Sequence, residues 1–186
     1  MSDHFDRAPE DPSQLRLRYY PDPVLRRRAV EIDPIDDRVR QAARRMFDVM
    51  YEEQGIGLAG PQVGWLQRIF VMNLTADPEK PEAEQVLINP VLSELAGESL
   101  EEEGCLSLPE IRAKVKRPES LVVEAQDLDG HTQRFAADDL LGRCIQHEND
   151  HLDGILFITR LSLTGRMPLR KALKELERDY KDQQAR

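Results

Sequence analysis

The sequence predicts an α+β fold: antiparallel β-sheets packed around a central α-helix, with an N-terminal helix before it and a C-terminal helix after it. Three observations predict this. Apolar residues recur at helical spacing in three separated stretches. Several short strand-like runs lie between the first and second of these stretches, and the last two runs join through the turn signal Asp129-Gly130.

A polar, proline-containing segment runs to about residue 14 and is too short of apolar residues to pack. From Asp36 to Gln54, Val39, Ala43, Met46 and Met50 fall on one helical face; Asp33-Pro34 supplies a start signal and Gly55 a stop. Strands are expected at Arg68 to Leu74, Val86 to Leu92, Ile111 to Arg117 and Leu121 to Gln126. The last pairs as a hairpin with His131 to Phe135. A second helix is expected from about Asp138 to Leu152, ended by Gly154. A third follows from Pro168 to Gln184, with Leu169, Leu173, Leu176 and Tyr180 on one face. No internal repeat or low-complexity linker divides the chain. Its 186 residues, 40% of them hydrophobic, suit one domain spanning 1–186.

Charge narrows the function classes. A formal net charge of -9 argues against a general nucleic-acid or anionic-membrane binder, so no direct DNA binding is expected. No apolar run approaches the roughly 20 residues a membrane helix needs. The acidic start, MSDHFDRAPEDPSQ, is unlike a targeting segment, and the expected place is the cytoplasm. With only 2 cysteines, Cys105 and Cys144, a disulfide framework is implausible and a ligand or buried role is expected for each.

The second helix carries the chemistry. Within His147-Glu148-Asn149-Asp150-His151, two imidazoles lie four residues apart with a carboxylate beside the first, which is a pattern that can hold and use a metal. At about 100° per residue, Cys144, His147, Glu148 and His151 form one stripe, and Leu141, Ile145 and Leu152 lie beside it. Such a helix is expected to be buried on its metal side and its packing side. A catalytic ion usually takes three protein ligands and keeps one position open. Downstream of His151 there is no histidine, although Glu175 and Glu177 are available on a highly charged helix. Upstream, Cys105 stands next to Gly104 between strand-like segments, where a thiolate donor fits.

Three motifs in order resemble the peptide deformylase family. They are Gly55-Ile56-Gly57-Leu58-Ala59-Gly60-Pro61-Gln62, Glu103-Gly104-Cys105-Leu106-Ser107 and Gln146-His147-Glu148-Asn149-Asp150-His151-Leu152. The resemblance runs from about Leu17 to Leu163, with Gly60 standing where the family usually has alanine. It implies an enzyme that removes the N-formyl group from the initiator methionine of new polypeptides. Its ligands would be Cys105, His147 and His151, around one divalent ion. The family's usual ion is Fe²⁺, while a Cys/His/His set also accepts Zn²⁺, Ni²⁺ or Co²⁺.

The same resemblance assigns the remaining roles. Glu148 takes a proton from water and passes it to the leaving amine. The Gln62 side-chain amide and the Leu106 backbone N–H stabilise the oxyanion. Ile56, Gly57 and Gly104 hydrogen-bond the substrate main chain as an added strand. Ile56, Leu140, Arg143, Cys144 and His147 surround the methionine side chain. At the edge of the stripe, Arg143 is expected either to lend its stem to that pocket and send its guanidinium outward or to be a plain surface arginine. Arg112 is expected at the substrate backbone, and Glu103 with Arg117 as a structural ion pair. Gly60 is expected to loosen its loop. The partners implied are N-formylmethionyl nascent peptides and, through the mixed-charge C-terminal helix, the ribosome. Two rival readings follow from the same residues: an H-E-x-x-H metallopeptidase, and a catalytically idle peptide-binding module of the same fold.

Overall fold

A computed structural model of the chain describes residues 11–184. Residues 1–10 of the expected polar first segment lie outside the described residues. The first long element, α1 (Asp37–Glu52), starts where the Asp36 carboxylate accepts the Val39 N–H at 3.1 Å, capping an otherwise orphan donor. It buries Val39, Ala43, Met46 and Met50, the face its periodicity defines. The left-handed residue that ends it is Gln54, with φ 58°, one position before the expected Gly55.

Five strands form the main sheet in the order β1 (Gly57–Ala59), β2 (Ile69–Met72), β3 (Gln85–Ala96), β6 (Ser120–Gln126) and β7 (Thr132–Asp138). Every neighbouring pair is antiparallel. The β6–β7 hairpin turns at Gly130, whose φ of 80° is the conformation glycine adopts without a Cβ penalty. Between β3 and β6 in the chain, β4 (Ser99–Cys105) and β5 (Leu108–Arg117) pair as a separate two-stranded sheet. That ribbon puts Gly104 opposite Arg112 and ends at Cys105.

The central helix, α2 (Asp139–Leu152), lies between the sheets and is buried on nearly every side from Gly142 to Leu152. Its Ile145 and Leu152 join Ala59, Phe70, Met72, Leu87 and Val123 in one core cluster. Full burial of an aliphatic side chain contributes about 1.5–3 kcal/mol, so these contacts seat the helix firmly against the main sheet. A second cluster packs α1 on the other sheet residues, including Leu58, Ile69, Val71 and Ile88. The third joins β5 to Leu156, Phe157 and Ile158, with Leu169, Leu173 and Leu176 of the C-terminal region against it. After a short helix, α3 (Leu163–Arg166), the C-terminal helix α4 (Arg170–Gln184) follows a 3₁₀ turn at Met167–Leu169. No helix among the described residues is long and apolar enough to cross a membrane.

Candidate metal centre and its cleft

The ligand atoms of Cys105, His147 and His151 all lie within 4.8 Å of one another. Two elements meet to make this group: the end of β4 supplies the sulfur, and successive turns of α2 supply the imidazoles. Cys105 Sγ stands 3.3 Å from His151 Nε2. Two ligands of one tetrahedral ion, at about 2.3 Å for sulfur and about 2.0 Å for nitrogen, would be about 3.5 Å apart, so the donor set fits a divalent cation. His147 Nδ1 lies 3.0 Å from Glu103 Oε2, an arrangement that leaves Nε2 free to face the sulfur. Burial lowers the His151 pKa well below its ordinary value, and the charges of His147 and Arg117 add to this, keeping the ring neutral as a ligand must be. Burial opposes charge on His147 as well. There, hydrogen bonds to Cys105 and Glu103 and the charges of Cys105 and Glu148 prevail and raise the pKa.

Glu148 sits one residue from the first imidazole and is 4% exposed, with no hydrogen-bond partner for Oε2. A buried carboxylate oxygen left open is rare in folded proteins and marks a place where another group is received. Burial pushes this carboxyl up to about 7, against the pull of the His147 and Arg117 charges. Gln62 is equally buried. Its Oε1 accepts the Ala59 N–H at 2.8 Å, which orients the amide so that Nε2 points to Ser107 Oγ at 3.3 Å and Cys105 Sγ at 3.6 Å.

One cleft of about 660 Å³ is lined by Ile56, Gly57, Gln62, Gly104, Cys105, Leu106, Arg112, Leu140, Arg143, Cys144, His147 and Glu148. These are all the ligand, catalytic and substrate-contacting residues expected from the resemblance except His151, which is 1% exposed behind Cys105. Glu175 and Glu177, the downstream carboxylates, lie on α4 and join neither the cleft nor the ligand group; Glu177 instead accepts the Tyr20 hydroxyl at 2.7 Å. Arg112 is largely exposed at the rim, 3.9 Å from Glu102. Burial raises the Cys144 pKa well above the ordinary thiol value, with the charges of Glu148 and Glu103 adding to it.

Two expectations are corrected. The Arg143 guanidinium does not reach outward: it is held inside, donating to Glu103 Oε1 at 2.7 Å, Val115 O at 3.1 Å and Ser99 Oγ at 2.6 Å. A helix angle alone placed this side chain at the edge of the stripe; the partners that draw it in come from β4 and β5, far away in sequence. Nor does Gly60 loosen its loop. A Cβ there would meet the carbonyls of Trp65 and Gln67 at 2.6 and 2.7 Å, so the turn is closed tightly around the glycine.

The expected Glu103–Arg117 pair is present and belongs to a larger buried network. Arg117 donates to both Glu103 oxygens and, at 2.9 Å, to Asp150 Oδ2, which also receives Arg160. Burial works against the charge of Glu103, but Arg117 and His147 hold its carboxyl well below the usual range. Asp150, Arg160 and Ser107 were not read from the sequence as parts of the site. Asp150 and Ser107 carried a usable signal, since each stands inside one of the three motifs; Arg160 carried none.

An H-E-x-x-H helix facing a cysteine-bearing strand, with a buried open carboxylate between them, defines a metal-dependent hydrolase. Comparison with known proteins gives the particular family. The model of the polypeptide deformylase family matches residues 14–167. A peptide deformylase of Acidobacterium capsulatum is 45% identical over 159 residues, covering 86% of this chain and 93% of that protein. The chloroplastic peptide deformylase 1B of rice is 44% identical over 170 residues, 90% of this chain and 62% of its own longer length. Among solved structures, a Plasmodium falciparum peptide deformylase superposes with TM-score 0.87 at 40% identity, covering 90% of this chain and 98% of that one. A plant peptide deformylase 1B does so with TM-score 0.89 at 37% identity, covering 92% and 94%. The chain belongs to the peptide deformylase family, metal-dependent enzymes that remove the N-formyl group from the N-terminal methionine of newly synthesised polypeptides. Membership does not favour the metallopeptidase or the idle binding module.

Proposed function

We propose that Cys105, His147 and His151 hold one divalent ion, Fe²⁺ in the cell, with Zn²⁺, Ni²⁺ and Co²⁺ as workable substitutes, and that Glu148 is the proton carrier of deformylation. The observation that carries this reading is the open, buried Oε2 of Glu148 beside the ligand group. When bound, the ion supplies Lewis-acid polarisation of the formyl carbonyl and acidifies a water molecule. The substrate main chain lies between Ile56-Gly57 and Gly104 as an added strand, so that recognition depends little on the residues that follow methionine. Ile56, Leu140, Cys144, the His147 ring and the Arg143 stem enclose the methionine side chain, and Arg112 contacts the peptide at the rim. Glu148 accepts a proton from the attacking water at its carboxylate and delivers it to the amine as the C–N bond breaks, leaving formate and a free N-terminus. The Gln62 amide and the Leu106 N–H donate to the oxyanion that forms between these steps. The orientation of Gln62 by Ala59 supports that assignment, because it aims the NH₂ rather than the carbonyl at the site.

The setting proposed is the cytoplasm, on chains leaving the ribosome. Ribosome contact through the C-terminal helix is supported by its charge: Arg170, Lys171, Lys174, Arg178 and Lys181 stand against Glu175, Glu177, Asp179 and Asp182, a slight basic excess in a chain of net charge -9.

The test of the chemistry uses anaerobically prepared, iron-loaded protein and a formyl-Met tripeptide. Formate release without internal cleavage is expected. Cys105→Ala should lose the metal, whereas Glu148→Ala should keep it and lose turnover. A fully active Cys105→Ala would sink the ligand assignment; internal cleavage would favour a peptidase, and tight binding without turnover an idle module.

A further inference from the structure

Glu103 is the point where the network meets a proposed metal ligand, and its hydrogen-bonding capacity is full. Oε1 accepts Arg117 Nε and Arg143 Nη1; Oε2 accepts Arg117 Nη2 and faces His147 Nδ1. A carboxylate offers about four lone-pair sites, so each of these groups fixes where the others can stand. Arg117 belongs to β5, in the same ribbon as Glu103, and reaches α2 at Asp150, on the C-terminal side of His147. Arg143 belongs to α2 itself, one turn before His147, and reaches the ribbon at three points: Ser99 and Glu103 on β4 and Val115 on β5. Its Nε also lies 3.6 Å from Glu101 Oε2. The ligand group is assembled from these two elements, with Cys105 at the end of the ribbon and both imidazoles on the helix. The two arginines therefore straddle His147 and set the helix against the ribbon on either side of it.

We propose that Arg143 is a positioning residue for the metal centre: its planar fork holds Glu103 against His147 Nδ1 and keeps the helix that carries two ligands in register with the strand that carries the third. The inference rests on the reading of Cys105, His147 and His151 as metal ligands. The guanidinium's hydrogen bonds run to protein groups, so the contribution of Arg143 to the cleft is its stem, and its charge acts on the ligand side. Lysine cannot replace it fully, because an ammonium on a flexible stem lacks the fork that meets Glu103, Ser99 and Val115 together.

Metal-free wild type, Arg143→Lys and Arg143→Leu are titrated with Co²⁺ against a competing chelator. The thiolate-to-metal charge-transfer band and the ligand-field bands are recorded, with circular dichroism as the check on fold. Loss of an outer partner of a metal ligand typically weakens binding about 10- to 100-fold. Since Arg143 acts through Glu103, the lower end is expected: Arg143→Leu binds Co²⁺ about tenfold more weakly with altered ligand-field bands, and Arg143→Lys falls between it and wild type. If Arg143→Leu does not fold, a folded Arg143→Lys with weakened affinity and shifted bands supports the inference. Wild-type affinity and spectrum in either folded variant overturn it. Loss of fold in both variants also overturns it, because the role would then be structural. If wild type itself binds Co²⁺ without a thiolate band, the ligand reading fails and the inference with it; a normal wild type with unaffected variants sinks the Arg143 role alone.

Discussion

Gly57 and Glu148 stand so close across the cleft that a Cβ on Gly57 would lie 2.6 Å from Glu148 Oε1, with Cys144 Sγ at 2.9 Å. The glycine is thus the wall against which the proposed proton carrier rests. Gly57→Ala would have to push the carboxylate or the thiol aside, and displacing a reacting group by about 1 Å can cost about 100-fold in rate. The expected result is a fall of that order in kcat/KM with the bound metal unchanged, read by steady-state kinetics and metal analysis. Wild-type kcat/KM in Gly57→Ala would mean that Glu148 is not held where the chemistry needs it.

Gln62, the proposed oxyanion donor, allows that role to be tested apart from metal binding. Its amide is fixed by Ala59 and Ser107, so replacing it with leucine removes the donor and its 3.6 Å contact to Cys105 Sγ, while the 3.3 Å approach of Cys105 Sγ to His151 Nε2 needs no atom of Gln62. Loss of one such donor typically costs about 100- to 1,000-fold in kcat. Gln62→Leu should therefore retain metal and bind substrate with little change in KM while kcat collapses. A loss confined to KM would move Gln62 from the oxyanion to substrate binding.

Arg117 is 2% exposed and joins two buried carboxylates, Glu103 and Asp150. Removing one partner of a buried ion pair leaves an uncompensated charge and costs about 3–5 kcal/mol. Arg117→Met should lower the unfolding free energy by that order in denaturant titrations of the metal-free protein. A loss below about 1 kcal/mol, the range of an exposed pair, would show that the network is hydrated and not a closed core element.

The elements that carry the site were legible in the sequence to different degrees, for physical reasons. Helix α2 was placed within one residue at its start because its periodicity and Gly154 are local signals. Cys105 stood out as a lone cysteine beside a glycine, whereas Glu103 and Gln62 were found only by motif, since strands β1 and β4 escape pattern reading. Gly57–Ala59 is three buried residues, too short for alternation, and Ser99–Cys105 carries three consecutive glutamates. Of those glutamates only Glu103 turns inward, and nothing in the run marks it out from Glu101 and Glu102. Its identity as a hub depends on Arg117 of β5 and on Arg143 and His147 of α2, two elements that the fold brings to it. Arg143 was misjudged for the same reason: a helical angle says which way a side chain leaves the axis, not what waits there.

Tyr20 ties α4 to the body through its hydroxyl, which donates to Glu177 at 2.7 Å. Burial raises the phenol's pKa above its ordinary 10.0, and the hydrogen bond and charge of Glu177 raise it further, with Arg26 opposing. A group whose folded pKa is raised contributes stability that is fully present below the unfolded value and is lost as pH climbs through the folded one. For a phenol the protonated form is the neutral donor, so the contribution holds at neutral pH and disappears above about pH 10, where a phenolate would face the Glu177 carboxylate. Tyr20→Phe should therefore cost about 1 kcal/mol near neutrality, the net worth of a typical hydrogen bond. That gap should close as the wild type weakens on the alkaline side. Denaturant unfolding of both proteins between about pH 8 and about pH 11 reads the difference directly. A gap that stays constant across this window would mean that the Tyr20 hydroxyl does not titrate against Glu177. Only a gap absent at every pH would leave the anchor of the C-terminal region to the apolar contacts of Leu169, Leu173 and Leu176 alone.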